Sequence, residues 1–196
     1  MKLCGLTGGV GMGKSTAAGF FLKSGVRIID TDELAHELVE PGQPALSEIE
    51  KEFGSSYIGT DGRLKRRDLA RLVFSNAEAR QKLEAILHPR IRERWQAQVQ
   101  NWRAEGCAMA MVVIPLLYET NAESSFDKII CVACSPAGQQ DRLKTRGWSP
   151  AQIKGRISAQ LPAEQKIARS HYVVWTDGSL QSHHRQIEAI VKKIRS

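Results

Sequence analysis

Directly behind its first apolar run, KLCGLT, the chain reads GGVGMGKST. Glycine weakens a helix or strand interior by roughly 0.5–1 kcal/mol relative to alanine, so a cluster of glycines here answers to some other need. A phosphate that touches several backbone N–H groups at once needs side chains out of the way and unusual backbone angles. Gly8 to Ser15 fits G-x-x-x-x-G-K-[ST] at every fixed position, between an apolar strand and a helical pattern starting at Lys14. A merely tight strand-to-helix turn needs only one or two glycines. The pattern therefore predicts a P-loop: Gly9, Val10, Gly11, Met12 and Gly13 bring their backbone to a nucleotide's phosphates, Lys14 reaches the β- and γ-phosphates, Ser15 holds Mg²⁺, and Thr16 completes the set.

Apolar runs alternate with helical patterns along the rest of the chain, which predicts an α/β fold with a parallel sheet. The strand candidates are residues 2–7, 26–30, 109–117, 128–134 and 172–175. Ser75 with Glu78, and Ser149 with Gln152 behind which Pro150 stands first, have the spacing of capping boxes and predict two helix starts. Residues 31–108 are far more than a parallel crossover needs. RRDLARLVF and NAEARQKLEAILHPRIRERWQAQVQNW read as helical there, so a helical module is expected after the second strand. Ile91, Trp95, Val99 and Trp102 share a helix face and read as core, and Pro89 is expected to break or kink the helix near His88.

With 196 residues, 42% hydrophobic and 25% charged, the chain is expected to form one domain or one domain with an insertion. No run approaches a membrane span and no signal-peptide pattern opens the chain, so a cytoplasmic protein is expected. Cys4, Cys107, Cys131 and Cys134 sit in or beside apolar stretches and read as small buried hydrophobes. Cys131 and Cys134 have C-x-x-C spacing but no second pair or nearby histidine completes a metal site. His183 and His184 are expected to be exposed. The net charge of +7 comes from scattered basic residues without an aromatic-interleaved stripe, so a phosphate-rich small substrate accounts for it and nucleic acid is not expected.

A P-loop alone does not separate kinase from GTPase or motor ATPase. The guanine-reading N-K-x-D is absent, and the strand before Pro115 does not end in a Walker-B aspartate. Acidic residues instead follow the second strand, in IIDTDE. Ligands in open α/β sheets bind beyond the carboxyl ends of the strands, where a carboxylate can take a proton from an attacking hydroxyl or order a metal. Asp32 is the preferred base; Asp30 is equally a helix cap. After the fourth strand come Arg142, Arg146 and Arg156, the first two one helical turn apart, placed to close over a triphosphate. Glu119, in PLLYE, is either structural or at the active centre.

LTGGVGMGKST, IIDTDELAHELVEPG, LHPRI, VVIPLLYE and RLKTRGWSPAQIKGRISAQLP, in that order and over nearly the whole chain, resemble the dephospho-CoA kinase family. The resemblance implies transfer of the ATP γ-phosphoryl to the ribose 3′-hydroxyl of dephospho-coenzyme A. It implies a P-loop NTPase fold: a five-stranded parallel core (1–31, 107–135, 170–196) flanked by helices, an inserted helical acceptor-binding module (32–106) and a helical lid (136–169). It assigns Asp32 to the acceptor hydroxyl and Arg142 to the lid, with Arg146 beside ATP. It puts His88, Leu116, Leu117, Glu119 and Arg156 near the acceptor. ATP with Mg²⁺ and dephospho-CoA are the expected partners, without nucleic acid or membrane, in a monomer. Another small-molecule or nucleoside monophosphate kinase is the alternative enzyme, told apart by its acceptor. A nucleic-acid-associated ATPase would instead hydrolyse ATP without one. One position departs from the family: Thr176 stands where Asn usually precedes Asp-Gly or Asn-Gly, so a base read there would meet a shorter side chain or the backbone.

Overall fold

The computed structural model describes all of residues 1–196. Five strands, β1 (Lys2–Thr7), β2 (Arg27–Asp30), β3 (Met109–Val113), β4 (Lys128–Ala133) and β5 (Tyr172–Trp175), form one sheet in the order β2-β3-β1-β4-β5. Every neighbouring pair is parallel, with Leu6 between Val113 and Ile130. β1, β3 and β4 are almost continuously buried, as strands covered on both faces must be. Two strands end sooner than the sequence suggests. β3 stops two residues before Pro115, which has no N–H for a ladder, and β4 stops at Ala133.

The chain divides into two compact units, Met1–Asp30 with Trp102–Ser196, and Thr31–Asn101. In the first, the core lies between one sheet face and two helices, α1 (Lys14–Lys23) and α9 (Leu180–Arg195). Cys4, Leu6, Met111, Ile130 and Val132 meet Phe21, Ile187 and Val191 there. On the other face Gly5 lies against Leu117 and Phe126. This unit also contains α6 (Pro136–Thr145), α7 (Pro150–Ser158) and α8 (Ala163–Arg169).

The second unit is helical: α2 (Thr31–Glu37), α3 (Pro44–Phe53), α4 (Arg66–Ser75) and α5, which begins at Ala77 and runs to Ala104. Val39, Ile49 and Leu69 centre its core. Glu40 bridges Arg63 at 2.6 Å and Arg66 at 2.9 Å, and Lys82 reaches Glu52 at 2.9 Å. A groove of about 350 Å³ is lined by Leu38, Pro44, Ala45, Ala97, Arg90 and Arg94.

Three local expectations are corrected. Ser75 does not cap α5: its hydroxyl donates to Arg71 O and Leu72 O at the end of α4, and Asn76 takes the cap by accepting from Ala79 N at 3.0 Å. Pro89 does not break α5, which stays helical on both sides of it. One proline removes one bond from a helix of 28 residues, and the Arg90 guanidinium donates to Ile86 O at 2.6 Å within that turn. His183 is buried at 5% exposure, because it lies one turn before Ile187 on the apolar stripe that continues through Ile190, Val191 and Ile194. Trp95, Val99 and Trp102 are buried and Ile91 is half-buried. All four cysteines are free thiols, three of them buried. Burial pushes the Cys4 thiol up to about 12 and Cys131 to about 11, which keeps both inert.

Candidate active site

The phosphate loop leaves the central strand, β1, where its two neighbours β3 and β4 lie on either side. That is the switch point at which open α/β sheets bind ligands. Two of its glycines have physical reasons. A Cβ at Gly8 would stand 2.3 Å from Val132 O, closer than any real contact, and φ there is +147°. Gly13 caps α1 with φ 95° in the left-handed region, and no side chain caps that helix. The first amides of α1 therefore point past Gly13, with no acidic residue in the first turn to oppose an anion.

The loop is braced from three directions. Lys14 Nζ folds back to Gly8 O at 2.9 Å and Gly9 O at 3.1 Å, which holds its charge over the loop. Gln139 of α6, buried at 6% exposure, donates to Val10 O at 2.7 Å. Gln160, between α7 and α8, accepts from Val10 N at 2.9 Å. Met12 is buried beside Ala133 and Cys134. Ser15 and Thr16 are exposed on the first turn of α1.

The arginines separate. Arg142, on α6, donates through Nη1 to Thr176 Oγ1 at 2.7 Å and through Nη2 to Thr176 O, and Nη1 lies 3.6 Å from where a Gly13 Cβ would stand. It is brought to the loop. Arg146 is exposed as the C-cap of α6, and Arg156 of α7 lies over the Trp148 ring at 4.3 Å. Thr176, buried at 1%, donates its hydroxyl to Met12 O at 2.9 Å, while its N–H goes to Ala133 O. Its side chain and N–H are thus both engaged within the protein rather than open to a base.

Glu119 is held structurally. Its carboxylate meets Lys166 Nζ at 2.8 Å and accepts from Leu161 N at 2.8 Å. Lys166, wholly buried, also donates to Pro115 O, which accepts from the Thr7 hydroxyl at the end of β1. Leu117 is fully buried against Gly5 and Phe126, so its side chain belongs to the core and not to a surface an acceptor can reach; Leu116 beside it is half-buried. In the helical unit, Asp32 is exposed in the first turn of α2 and His88 is exposed on α5. Sequence reasoning missed Lys166, Gln139 and Gln160. Each is a polar residue in a polar stretch, and nothing local marks it for burial or for the loop.

The family model for dephospho-CoA kinase matches residues 2–182. The chain belongs to the dephospho-CoA kinase family. Over 192 residues it is 38% identical to the dephospho-CoA kinase of Bdellovibrio bacteriovorus, covering 98% of this chain and 96% of that one. Over 190 residues it is 37% identical to that of Bacillus anthracis, covering 96% and 95%. Among solved structures, TT1252 from Thermus thermophilus superposes with a TM-score of 0.84 at 32% identity, over 98% of this chain and 97% of that one. A shikimate kinase from Acinetobacter baumannii, at 11% identity and TM-score 0.57 over 99% and 93%, shares the fold alone.

Proposed function

We propose that this chain transfers the γ-phosphoryl group of ATP to the ribose 3′-hydroxyl of dephospho-coenzyme A, giving coenzyme A and ADP, in the last step of coenzyme A biosynthesis. The observation that carries the reading is a complete phosphate loop, braced by Gln139, Gln160 and Thr176, in a chain whose residues 2–182 match the family.

The amides of residues 9–16 bind the phosphates, and Lys14 balances charge that grows on the transferring group. Arg142 adds a second cation beside Gly13. Asp32 takes the proton of the attacking hydroxyl. Mg²⁺ fits the donor present, an oxygen of the first turn of α1. One hydroxyl, Ser15, suits an ion otherwise held by phosphate oxygens and water, and the ion would neutralise phosphate charge there. The groove in the helical unit offers an apolar wall of Leu38, Pro44, Ala45 and Ala97, which suits the pantetheine arm of the acceptor; its charges are mixed, with Arg90 paired to Glu48 and Glu93 beside Arg94. Arg146, Arg156, His88 and Leu116 remain assigned by family likeness. The chain acts in the cytoplasm as a monomer on this reading, and no helix is long and apolar enough to cross a membrane.

The test is a phosphorylation assay with dephospho-CoA, AMP and shikimate as acceptors, with the product's phosphate located by NMR. Dephospho-CoA should give the highest kcat/KM and a 3′-phosphate. AMP has the same ribose hydroxyl but lacks the arm whose binding holds that hydroxyl in line, so it should be at least about 10²-fold poorer. Equal use of AMP, or phosphate at another position, overturns the acceptor assignment.

A further inference from the structure

Behind the phosphate loop, Thr176 ties together elements distant in sequence. Its hydroxyl has one proton, and that proton goes to Met12 O at 2.9 Å. The same oxygen accepts from Arg142 Nη1 at 2.7 Å, and the Thr176 carbonyl accepts from Nη2. The guanidinium is thus gripped by two oxygens of one residue. That fixes the direction of its plane as well as its position. The methyl and hydroxyl of Thr176 both lie 3.5 Å from where a Gly13 Cβ would stand, against the N-cap of α1. The neighbouring Asp177 secures the other end of α6. Its carboxylate accepts from Ser135 N at 2.8 Å, and Ser135 in turn caps the helix by accepting from Gly138 N at 3.1 Å. The pair Thr176-Asp177 therefore straps α6 to the end of β5, with the threonine at the nucleotide side.

We propose that Thr176 is a positioning residue for ATP: its hydroxyl orders the Met12 carbonyl of the phosphate loop and aims Arg142 before the nucleotide arrives. The inference rests on the phosphate loop being the ATP site. An oriented donor contributes more to binding than a mobile one, because its ordering cost is met in folding rather than in binding. A hydroxyl buried at 1% exposure is also hard to replace, since a valine keeps the shape but leaves a carbonyl and a guanidinium N–H without partners.

ATP affinity by calorimetry, steady-state kinetics and thermal unfolding are measured for wild type, Thr176→Val, Thr176→Ser, Arg142→Ala and the Thr176→Val/Arg142→Ala double variant. Thr176→Val should weaken ATP about tenfold or more, the loss expected when a hydrogen bond to a charged group is removed, with KM for dephospho-CoA unchanged. Thr176→Ser should restore most of the affinity. In the double variant the two losses should not add, because the valine acts largely through the arginine. Should the valine variant not fold, Thr176→Ala is read the same way. If Thr176→Val or Thr176→Ala lowers the melting temperature but binds ATP like wild type, or if serine fails to rescue, or if the two losses add fully, the positioning role is overturned. Failure of the wild type to bind ATP, or full affinity in a Lys14→Ala control, would instead overturn the phosphate-loop reading itself.

Discussion

A lysine with no access to water must be given acceptors, and Lys166 has two: the Glu119 carboxylate and Pro115 O, both at 2.8 Å. Removing one member of a buried pair leaves the other charge uncompensated, at about 3–5 kcal/mol, whereas replacing both members together by apolar groups of similar size is often near neutral. The Glu119 side chain is 22% exposed, which puts Glu119→Gln at the lower end, a loss of about 3 kcal/mol in denaturant unfolding. Lys166→Met should cost a similar amount, because it strands the Glu119 carboxylate, whereas the Glu119→Leu/Lys166→Met double variant should cost much less than the sum of the two. If Glu119→Gln unfolds like wild type yet loses activity, Glu119 belongs to the acceptor site after all. None of this was legible in AEQKIAR, because a buried lysine looks like a surface one until its acceptors are brought to it from elsewhere in the chain. The phosphate loop was legible letter by letter, because Gly8, Gly13 and Lys14 answer to needs of their own backbone and of the anion, within one turn of chain. Thr176 lies between these cases. Its departure from the family's usual residue could be seen, but its link to Met12 and Arg142 depends on strand order.

Helix boundaries follow the same logic one level up. The capping box at Ser149 forms as its spacing predicts, with Ser149 N to Gln152 Oε1 at 2.9 Å and Gln152 N to Ser149 Oγ at 3.3 Å. The start of α5 shifts by one residue because Asn76 caps at least as well as serine and Ser75 already closes α4. The helix that starts at Ser149 buries only Ile153 of its own residues, and Gln160 just beyond it is tied to the phosphate loop through Val10 N. So little buried apolar surface makes α7 an element expected to open cheaply, and a nucleotide that closes it should slow that opening. Trypsin should cut first at Arg146, Lys154 or Arg156, and a saturating non-hydrolysable ATP analogue should slow these cuts about tenfold or more by mass action. Equal cleavage with and without analogue would mean that α7 is no lid.

On the scale of the whole chain, the order β2-β3-β1-β4-β5 puts the phosphate loop at the middle of the sheet, and parallel strands make every strand end point the same way. The alternation of apolar runs and helices made that sheet legible. The long gap made the helical segment legible as well, because no crossover needs so many residues. What remained illegible is which polar residues of one segment serve another. The chain passes between its compact units beside the acidic pair: Asp30 is the last residue of β2 and of the first unit, and Asp32 lies in the first turn of α2 in the second. The phosphate loop, Arg142 and Thr176 all belong to the first unit. If Asp32 serves the acceptor hydroxyl, a change there alters none of the groups proposed to hold the triphosphate and should touch the acceptor chemistry only. Asp32→Asn should then lower kcat with dephospho-CoA by about 10²–10⁴-fold, the usual cost of losing a general base. The ATP dissociation constant should stay within about twofold, since every group proposed to hold the triphosphate is intact. Residual turnover is expected, because phosphoryl transfer relies mostly on positioning and electrostatics. The measurement is steady-state kinetics of the variant beside calorimetric ATP binding. Turnover like wild type would remove Asp32 from the chemistry. A parallel loss of ATP binding would show that it orders the metal or the nucleotide instead, and the general base would then have to be sought elsewhere, with Asp30 the next carboxylate to test.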